Sequence, residues 1–434
     1  MNQLAVSTHL ENCQFNGFFR RLSIILVLIS VLTGFSMYIF GIANAGIMED
    51  LGFTAVESGL IGSYNTIGMM ISTIVFSMLA DKIGAKKIVL LCVLLNSVFT
   101  GCTGLASSMG MFAFTRIASG CGIAVIPSVI SLLSEYSPKK WRAVLCAIGG
   151  CGCAIGMMMA ALSGMYILPL TEDWRTLFYL AFLGVLLLPL TVAFVPDSMS
   201  VLIAKGDNRR IEAVLKKADA KFVVVEGQSY ALHSGVSANH RVSIVRLFQN
   251  GASRNTILAC IIFCCNMAVL YGTGTWLPAM MGSAGFSVSS GFTLLFLFSL
   301  GSIVVSPLGG KLATKVGYKK VMAVLCLVTF LFLNLFGAAQ SMLASSLLIF
   351  VAGASSNGTQ AILQPYVASL YPEEIRTTGI GLATLFGRFG SFFAPLLGGF
   401  LVQNQVSLQM DFLVFASFSI VSCVCLLLTK PQKD

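Results

Sequence analysis

Long apolar segments separated by short polar loops constrain the fold of this chain more than any other feature. A helix needs roughly 20 apolar residues to cross a hydrocarbon layer about 30 Å thick, and twelve segments reach that length. Their predicted limits are 22–46, 55–79, 88–107, 109–134, 143–168, 174–195, 254–278, 289–313, 321–340, 342–370, 377–403 and 408–429. Only 10% of the residues are charged, against roughly 25% in soluble domains. We therefore predict an all-α polytopic membrane protein with twelve transmembrane helices.

Basic residues are distributed unevenly about these predicted spans. The chain has 27 Lys and Arg and a formal net charge of +10, and all but Arg116, Arg175 and Arg388 fall at the termini or in loops on one side. An excess of Lys and Arg marks the cytoplasmic side of membrane proteins, so both termini are predicted to be cytoplasmic. The charge orients the protein in the lipid bilayer and requires no nucleic-acid partner. Short external loops favour a bacterial inner (plasma) membrane.

The 13 cysteines are interpreted as packing residues. All but Cys13 fall within predicted spans, and the three histidines, His9, His233 and His240, lie in loops. Because a free thiol behaves as a small apolar side chain when buried, the sequence predicts no disulfide framework, no metal site and no other cofactor. The N-terminal residues before the first span are too polar for a cleavable signal peptide, so that span is expected to serve as an uncleaved anchor.

The two groups of six spans repeat each other. Several residues recur at one constant offset, among them Tyr38 as Tyr271, Gly52 as Gly285, and Gly84 as Gly317. The predicted organisation is an N-terminal half (1–195), a polar cytoplasmic linker (196–253) and a C-terminal half (254–434). Two parallel repeats around a site at the membrane midplane are typical of transporters that work by rocking one half against the other.

The loop after the second predicted span resembles the loop signature of the major facilitator superfamily. It reads SMLADKIGAKK (77–87), and its second copy reads GKLATKVGYKK (310–320). Gly84 is expected to make the turn because glycine adopts left-handed dihedrals freely. Asp81 is a gating candidate, since a carboxylate at a span end can bind a helix N-terminus or a basic residue and latch the halves. Alternatively, Asp81 only orients the loop.

Two arginines lie inside predicted spans, Arg116 in RIASGCG and Arg388 in LFGRFGSFFAPLLGG. A charge in hydrocarbon is costly and normally faces a cavity or a partner. A guanidinium can hold a carboxylate with two parallel hydrogen bonds, so both residues are candidates for binding an organic acid. Either could instead bind backbone carbonyls or reach towards an interface. At span ends, Glu135 and Arg376 are predicted to form gating ion pairs.

Polar and aromatic residues inside the spans indicate where a binding pocket lies. Amides within a membrane must find partners or face water, so several of them should line the path. The substrate-binding candidates besides the arginines are Tyr38, Tyr64, Asn65, Asn266, Tyr271, Gln360 and Gln364, and weaker ones are Ser36, Asn44, Trp276 and Asn357. Each amide could instead join neighbouring helices.

Most of the chain resembles the aromatic acid/proton symporter family of the major facilitator superfamily. The similarity is carried by VPDSMSVLIAKGD (195–207), RNTILACIIFCCNMAVLYGTGTWLPAMM (254–281) and LYPEEIRTTGIGLATLFGRFGSFFAPLLGG (370–399). The resemblance implies the major facilitator fold, with two pseudo-symmetric six-helix bundles. It also implies uptake of benzoate-like or hydroxycinnamate-like acids together with protons.

One departure from that family concerns proton coupling. Members carry two aspartates in the first span, where this chain has Thr33 and Ser36, and no Asp, Glu or His is expected deep in any span. A proton carrier needs a titratable group whose pKa shifts between states. Proton coupling would therefore depend on Glu57, on Glu135 or on the substrate's own acid, and uniport and anion exchange stay open.

The predicted function is transport of small organic anions, aromatic or other carboxylates, by alternating access. A sugar-type or other metabolite facilitator and a transport-inactive membrane sensor of the same fold are the alternatives, and the linker is short for a sensor's signalling domain. No nucleophile–base pairing or phosphate loop points to an enzyme. The protein is expected to act as a monomer, with a small organic acid and possible protons as its partners.

Overall fold

The computed structural model describes residues 3–219, 222–224, 229–231, 244–249, 253–339 and 341–430. In this part of the chain, 11 helices are long and apolar enough to cross a membrane. A further span consists of two segments, Ser289–Val305 and Leu308–Val316, which meet at an angle of 45°. The predicted all-α membrane fold is thereby confirmed.

The helices follow the predicted order of spans. Spans 1 to 3 are Gly17–Leu51, Ala55–Ile83 and Ala85–Thr103. Span 4 consists of Met109–Ile123 and Ile126–Tyr136, span 5 of Lys139–Tyr166 with the short helix Leu168–Thr171, and span 6 of Trp174–Tyr179, the 3-10 segment Leu180–Leu186 and Leu187–Phe194. Spans 7 to 12 are Ser253–Ser283, Val288–Val316, Tyr318–Gly337, Met342–Ala368, Glu373–Gln403 and Leu408–Leu428.

Short elements outside the spans cover the membrane end that carries the chain termini, here called the near end. They are the helices Val6–Asn12, Met199–Ala204 and Asn208–Ala218, the 3-10 turn Ile244–Phe248, and a parallel pair of strands, Gln3–Ala5 and Ser229–Ala231. The linker helix Asn208–Ala218 buries Ile211 and Leu215 against the first half. Part of the polar linker is therefore packed onto that half.

Corresponding turns in the two halves have the same backbone geometry. Gly84 ends span 2 with a φ of 95°, and Gly317 ends span 8 with a φ of 104°. An L-residue with a side chain rarely adopts these angles, so glycine is required at both turns. The same backbone turn occurs at the same place in both halves, as the sequence repeat predicts.

Three clusters of buried apolar side chains show how the halves meet. One cluster at the near end consists of residues of the first half and the linker, and another at the near end consists of residues of the second half together with Leu247 of the linker. The third cluster contains residues of both halves, such as Phe40 and Ile47 of span 1 with Trp276 and Met280 of span 7. The halves therefore share a core only towards the opposite membrane end, here called the far end.

Candidate functional site

Close backbone packing seals the far end of the boundary between the halves. Spans 1 and 7, 2 and 11, and 5 and 8 are in extensive contact, whereas spans 4 and 10 are not among such pairs. A Cβ added at Gly59 would lie 2.5 Å from the Pro395 carbonyl oxygen, and one added at Gly41 would lie 2.9 Å from that of Thr275. Glycine is thus needed for these helices to approach each other.

Hydrogen bonds between the halves lie on the same side of the membrane. Ser63 Oγ donates to the Phe392 carbonyl oxygen at 2.6 Å, and the Val56 N–H donates to Gln403 Oε1 at 3.3 Å. Contacts of this kind extend from the far end to Met69 at mid-membrane. The boundary is therefore sealed from mid-membrane to the far end.

At the inner limit of this seal, side chains from both halves surround Arg388. The rings of Tyr38 in span 1 and Tyr271 in span 7 lie 6.3 Å apart between centroids, tilted by 37°. Met69 Sδ of span 2 lies 3.8 Å from the Tyr271 hydroxyl and 4.0 Å from Arg388 Nη1. Cys153 of span 5 lies beside Tyr38 and Arg388. We call these five residues the central cluster.

The central cluster combines one cation with aromatic and polarisable groups. Ser391, one turn after Arg388, lies near the Tyr271 hydroxyl. Arg388 Nε is enclosed and has no hydrogen-bond partner among the described residues. An enclosed donor without a partner carries a desolvation penalty that an incoming acceptor relieves. The structure thus brings together three predicted site residues: Tyr38 and Tyr271 lie beside the guanidinium of Arg388, which among the described residues has a free donor for an anion.

Arg116 has a very different environment. Its side chain is 2% exposed, and its guanidinium carbon lies 4.9 Å from the centre of the Phe40 ring. Nε and Nη1 have no hydrogen-bond partner among the described residues. Phe40 also packs against the backbone at Gly62 in the sealed part of the boundary. A cation–π contact of about 0.5–2 kcal/mol is thus the main compensation identified for this buried charge.

Asn65 joins spans 2 and 4 next to Arg116. Its amide nitrogen donates to the Arg116 carbonyl oxygen at 3.2 Å and to Ser119 Oγ at 3.1 Å. Close approach makes this possible, because Gly120 has no side chain to clash with the Asn65 backbone. In this conformation the Asn65 amide connects helices, which is the alternative left open by the sequence.

The remaining predicted binding residues, three amides of the second half and Tyr64 of the first half, lie away from the central cluster's hydrogen bonds. Asn266 Nδ2 donates to Gln360 Oε1 at 2.6 Å and so joins spans 7 and 10. Gln364, one turn further along span 10, is exposed, and Tyr64 of span 2 is partly buried. Among the described contacts, none of these four side chains forms a hydrogen bond with Arg388 or Tyr271. The structure therefore does not gather the whole predicted set into one cluster.

The predicted gating residues of the first half differ in how well the structure matches their predictions. Gly84 makes the expected turn and packs against Val201 of the linker, whereas the Asp81 side chain lies outside the described residues. Glu135 does not form the expected ion pair within the described chain. Its carboxylate accepts hydrogen bonds from Ser198 Oγ at 2.8 Å and from the Met199 N–H at 2.6 Å. A carboxylate is favoured there because a helix begins at Met199 with unpaired N–H groups.

Arg376, the other predicted gating residue, is partly buried near the start of span 11. It is engaged in an interaction, so it is not a free cation at the near end. Its place in the first turn of span 11 matches the expected position at a span end. Its assignment to a gate stays a prediction.

One acidic residue that the sequence did not single out is buried at the end of a span. Asp411 lies in the first turn of span 12, is 4% exposed, and has one carboxylate oxygen without a hydrogen-bond partner among the described residues. The sequence places it close to a predicted helix end, where a carboxylate normally reaches water. Packing of the far end buries it instead.

The sequence also did not single out Met69, Cys153 and Ser391 near Arg388, because nothing in their residue type separates them from packing residues.

Comparison with known proteins identifies the family. The sequence profile of the Major Facilitator Superfamily matches residues 26–297 and 259–434. The chain is 30% identical to the benzoate transport protein of Acinetobacter baylyi, over 99% of this chain and 94% of that protein. It is 25% identical to the gentisate transporter of Corynebacterium glutamicum, over 95% of this chain and 89% of that one.

Solved structures agree on the fold. The chain resembles a D-xylose-proton symporter with a TM-score of 0.73 and 12% identity, over 96% of this chain and 99% of that one. It also resembles a bacterial homologue of the lysosomal transporter Spinster, in an inward-facing conformation, with a TM-score of 0.71 and 16% identity, over 96% of this chain and 98% of that one. The family resemblance seen in the sequence motifs is thus confirmed. This chain belongs to the Major Facilitator Superfamily and is a multi-pass membrane transporter.

Proposed function

We propose that this protein carries small aromatic carboxylates across the membrane by alternating access, and that the central cluster is their binding site. The observation that carries the proposal is the position of Arg388, a guanidinium at the junction of both halves with two tyrosine rings beside it. The names of the relatives support this substrate class, since they include transporters of benzoate, gentisate and 4-hydroxybenzoate.

The chemistry of the cluster suits a flat acid. A guanidinium binds a carboxylate through two parallel hydrogen bonds. Aromatic rings favour offset or edge-on packing against another ring at about 4.5–7 Å between centroids, and the sulfur of Met69 is polarisable enough to pack against a ring edge. In this proposal Arg388 binds the carboxylate, while Tyr38 and Tyr271 contact the ring from opposite halves.

Contacts from both halves connect binding to movement. A ligand favours whichever arrangement of the halves it contacts best, and here it touches spans 1, 2 and 5 on one side and spans 7 and 11 on the other. We propose that the two halves, 1–195 and 254–434, rock about this ligand while residues 196–253 tether them. The sealed far end and the separate near-end clusters then describe the state that is open to the near end.

We propose that the near end is the cytoplasmic side of a bacterial inner membrane and that the transporter works as a monomer. The basic residues concentrated there support this orientation. The near-end contact between Glu135 and the linker, together with Asp81 and Arg376, is proposed to change when the near end closes. The proposed direction is uptake, followed by release into the cytoplasm.

We further propose that the substrate crosses as an anion without a co-transported proton. Thr33 donates to the Ile29 carbonyl oxygen at 2.7 Å and Ser36 is fully buried, so both positions are filled by groups that do not titrate. Glu57 is occupied in capping span 2 through Thr54. An inside-positive membrane potential should therefore accelerate benzoate uptake into proteoliposomes without a pH gradient. Uptake that needs an inward proton gradient and ignores the potential would contradict this part of the proposal.

Substrate class is tested by competition in the same proteoliposomes. Labelled benzoate uptake should be inhibited by unlabelled benzoate and 4-hydroxybenzoate, weakly by cyclohexanecarboxylate, and not by benzamide or xylose. Benzamide is the sharpest control, because it keeps the ring and shape of benzoate but lacks the charge that Arg388 is proposed to bind. Equal inhibition by benzamide, or an absence of benzoate uptake, would overturn the assignment.

A further inference from the structure

Three side chains with metal-binding chemistry meet at the near end, away from the central cluster. They are His9 and Cys13 of the N-terminal segment and Asp219, which follows the linker helix Asn208–Ala218. One ligand atom from each lies within 4.8 Å of the other two. His9 and Cys13 are four residues apart, at a spacing that puts two side chains on the same face of a helix.

The two segments that supply these residues are fastened together by other contacts. Leu4 pairs with Tyr230 in a parallel strand pair before His9. After Cys13, Asn16 Nδ2 donates to the Ala218 carbonyl oxygen at 2.8 Å. These contacts place the three side chains before any ion arrives, and a site held in this way binds with a smaller ordering cost.

The groups are poorly matched to one another without an ion. His9 Nε2 is enclosed and makes no hydrogen bond within the described chain, although Asp219 Oδ2 lies 3.4 Å away. The Cys13 thiol donates a hydrogen bond to the His9 carbonyl oxygen, with 3.3 Å between the sulfur and the oxygen. An ion pair between His9 and Asp219 accounts for two of the side chains, and the thiol makes only a weak hydrogen bond to its own helix.

We propose that His9, Cys13 and Asp219 bind a divalent transition-metal ion of the zinc type. Thiolate sulfur, imidazole nitrogen and carboxylate oxygen are the ligand types that Zn²⁺ combines in tetrahedral sites, and three protein ligands leave one position for water. Binding displaces the Cys13 thiol proton, which passes to solvent. The ion clamps the N-terminal segment to the linker, and since both pack on the first half, it stabilises that half at the near end.

The site is tested with the full-length protein in detergent, freed of metal by a chelator and titrated with Co²⁺. Cobalt occupies zinc sites and produces a thiolate charge-transfer absorption when cysteine is a ligand. We expect one Co²⁺ per chain, displaced by Zn²⁺. The absorption should disappear in Cys13→Ser. It should persist in the control Cys146→Ser, which alters another partly buried thiol in span 5, outside the cluster.

A second variant keeps the test decisive if Cys13→Ser folds poorly. Loss of a mere hydrogen-bonding partner of a ligand weakens metal affinity by about 10- to 100-fold, so Asp219→Asn should weaken Co²⁺ binding by at least about tenfold. Thermal unfolding of the metal-free variants checks that they fold. The proposal is overturned if the parent protein binds no stoichiometric metal, or if a folded Cys13→Ser or Asp219→Asn titrates like the parent. The readout is metal binding, so it is independent of the proposed transport activity.

Discussion

Arg116 and Arg388 present the same charged group in two opposite settings. Arg388 lies where spans from both halves meet, beside Tyr271 and close to Tyr38. Arg116 lies within the first half, 2% exposed and stacked on Phe40, which itself faces the sealed part of the boundary. The difference shows that an arginine inside a membrane protein is a candidate for binding substrate when helices of both halves surround it. Both arginines have an enclosed Nε without a hydrogen-bond partner among the described residues, so this feature does not distinguish them.

The largest expected effect is at Arg388. Removing one member of a buried, hydrogen-bonded charge pair costs about 2–5 kcal/mol of binding free energy, so Arg388→Ala should weaken benzoate binding by about 30-fold or more. Arg388→Lys should retain part of the affinity, because the charge stays but the two-pronged geometry is lost. Calorimetry on purified protein measures this, with Arg209→Ala on the exposed face of the linker as control. Unchanged benzoate affinity in Arg388→Ala would mean that Arg388 does not bind the carboxylate.

The next effect concerns the seal that separates Arg116 from the boundary. Gly59→Ala places a methyl group against the Pro395 carbonyl oxygen, and overpacking of this kind typically costs about 1–3 kcal/mol. The state closed at the far end should lose population by about fivefold or more, and transport should slow. Spin-label distances across the far end measure the change. Gly282→Ala is the matched control, since no atom lies within 4 Å of a Cβ added there. Equal distances in both variants would show that this packing does not set the state.

A smaller effect of opposite sign is expected at Arg116. An enclosed polar group without a partner costs about 1–3 kcal/mol, whereas the lost cation–π contact is worth about 0.5–2 kcal/mol. Arg116→Met should therefore leave stability unchanged or raise it by about 1 kcal/mol, and benzoate affinity should change by less than about threefold. Thermal unfolding and calorimetry on the same sample give both values. A loss of affinity as large as that in Arg388→Ala would remove the distinction between the two arginines.

The smallest effects are expected for the amides that join helices. Asn65→Ala and Asn266→Ala each remove a buried hydrogen bond worth about 0.5–1.5 kcal/mol, so both should lower stability without a matching loss of benzoate affinity. A double-mutant cycle between Asn266 and Gln360, which are 2.6 Å apart, isolates the pairwise contribution. If either asparagine variant lost affinity but not stability, that amide would be a ligand.

Individual residues show which features of the structure could be predicted from the sequence. It predicted the spans, the glycine turn at Gly84 and its repeat at Gly317, whereas the binding role of Arg388 stays a prediction. It failed at Asp411, because a position near a helix end does not reveal which loops and helices pack over it. It also expected a basic partner for Glu135, whereas the carboxylate binds the N-terminus of a linker helix. A charge pattern alone favours basic partners.

The sequence by itself determined that this protein spans a membrane about twelve times, repeats itself, and belongs among transporters, because these properties follow from apolar length, charge distribution and motifs along the chain. Only the tertiary structure decided that Arg388 contacts Met69 of the other half while Arg116 stacks on Phe40 within its own half. It likewise brought His9, Cys13 and Asp219 together from distant segments. The physical reason is that helix rotation and approach depend on packing between helices, and residues far apart in the chain carry no local signal of their contact.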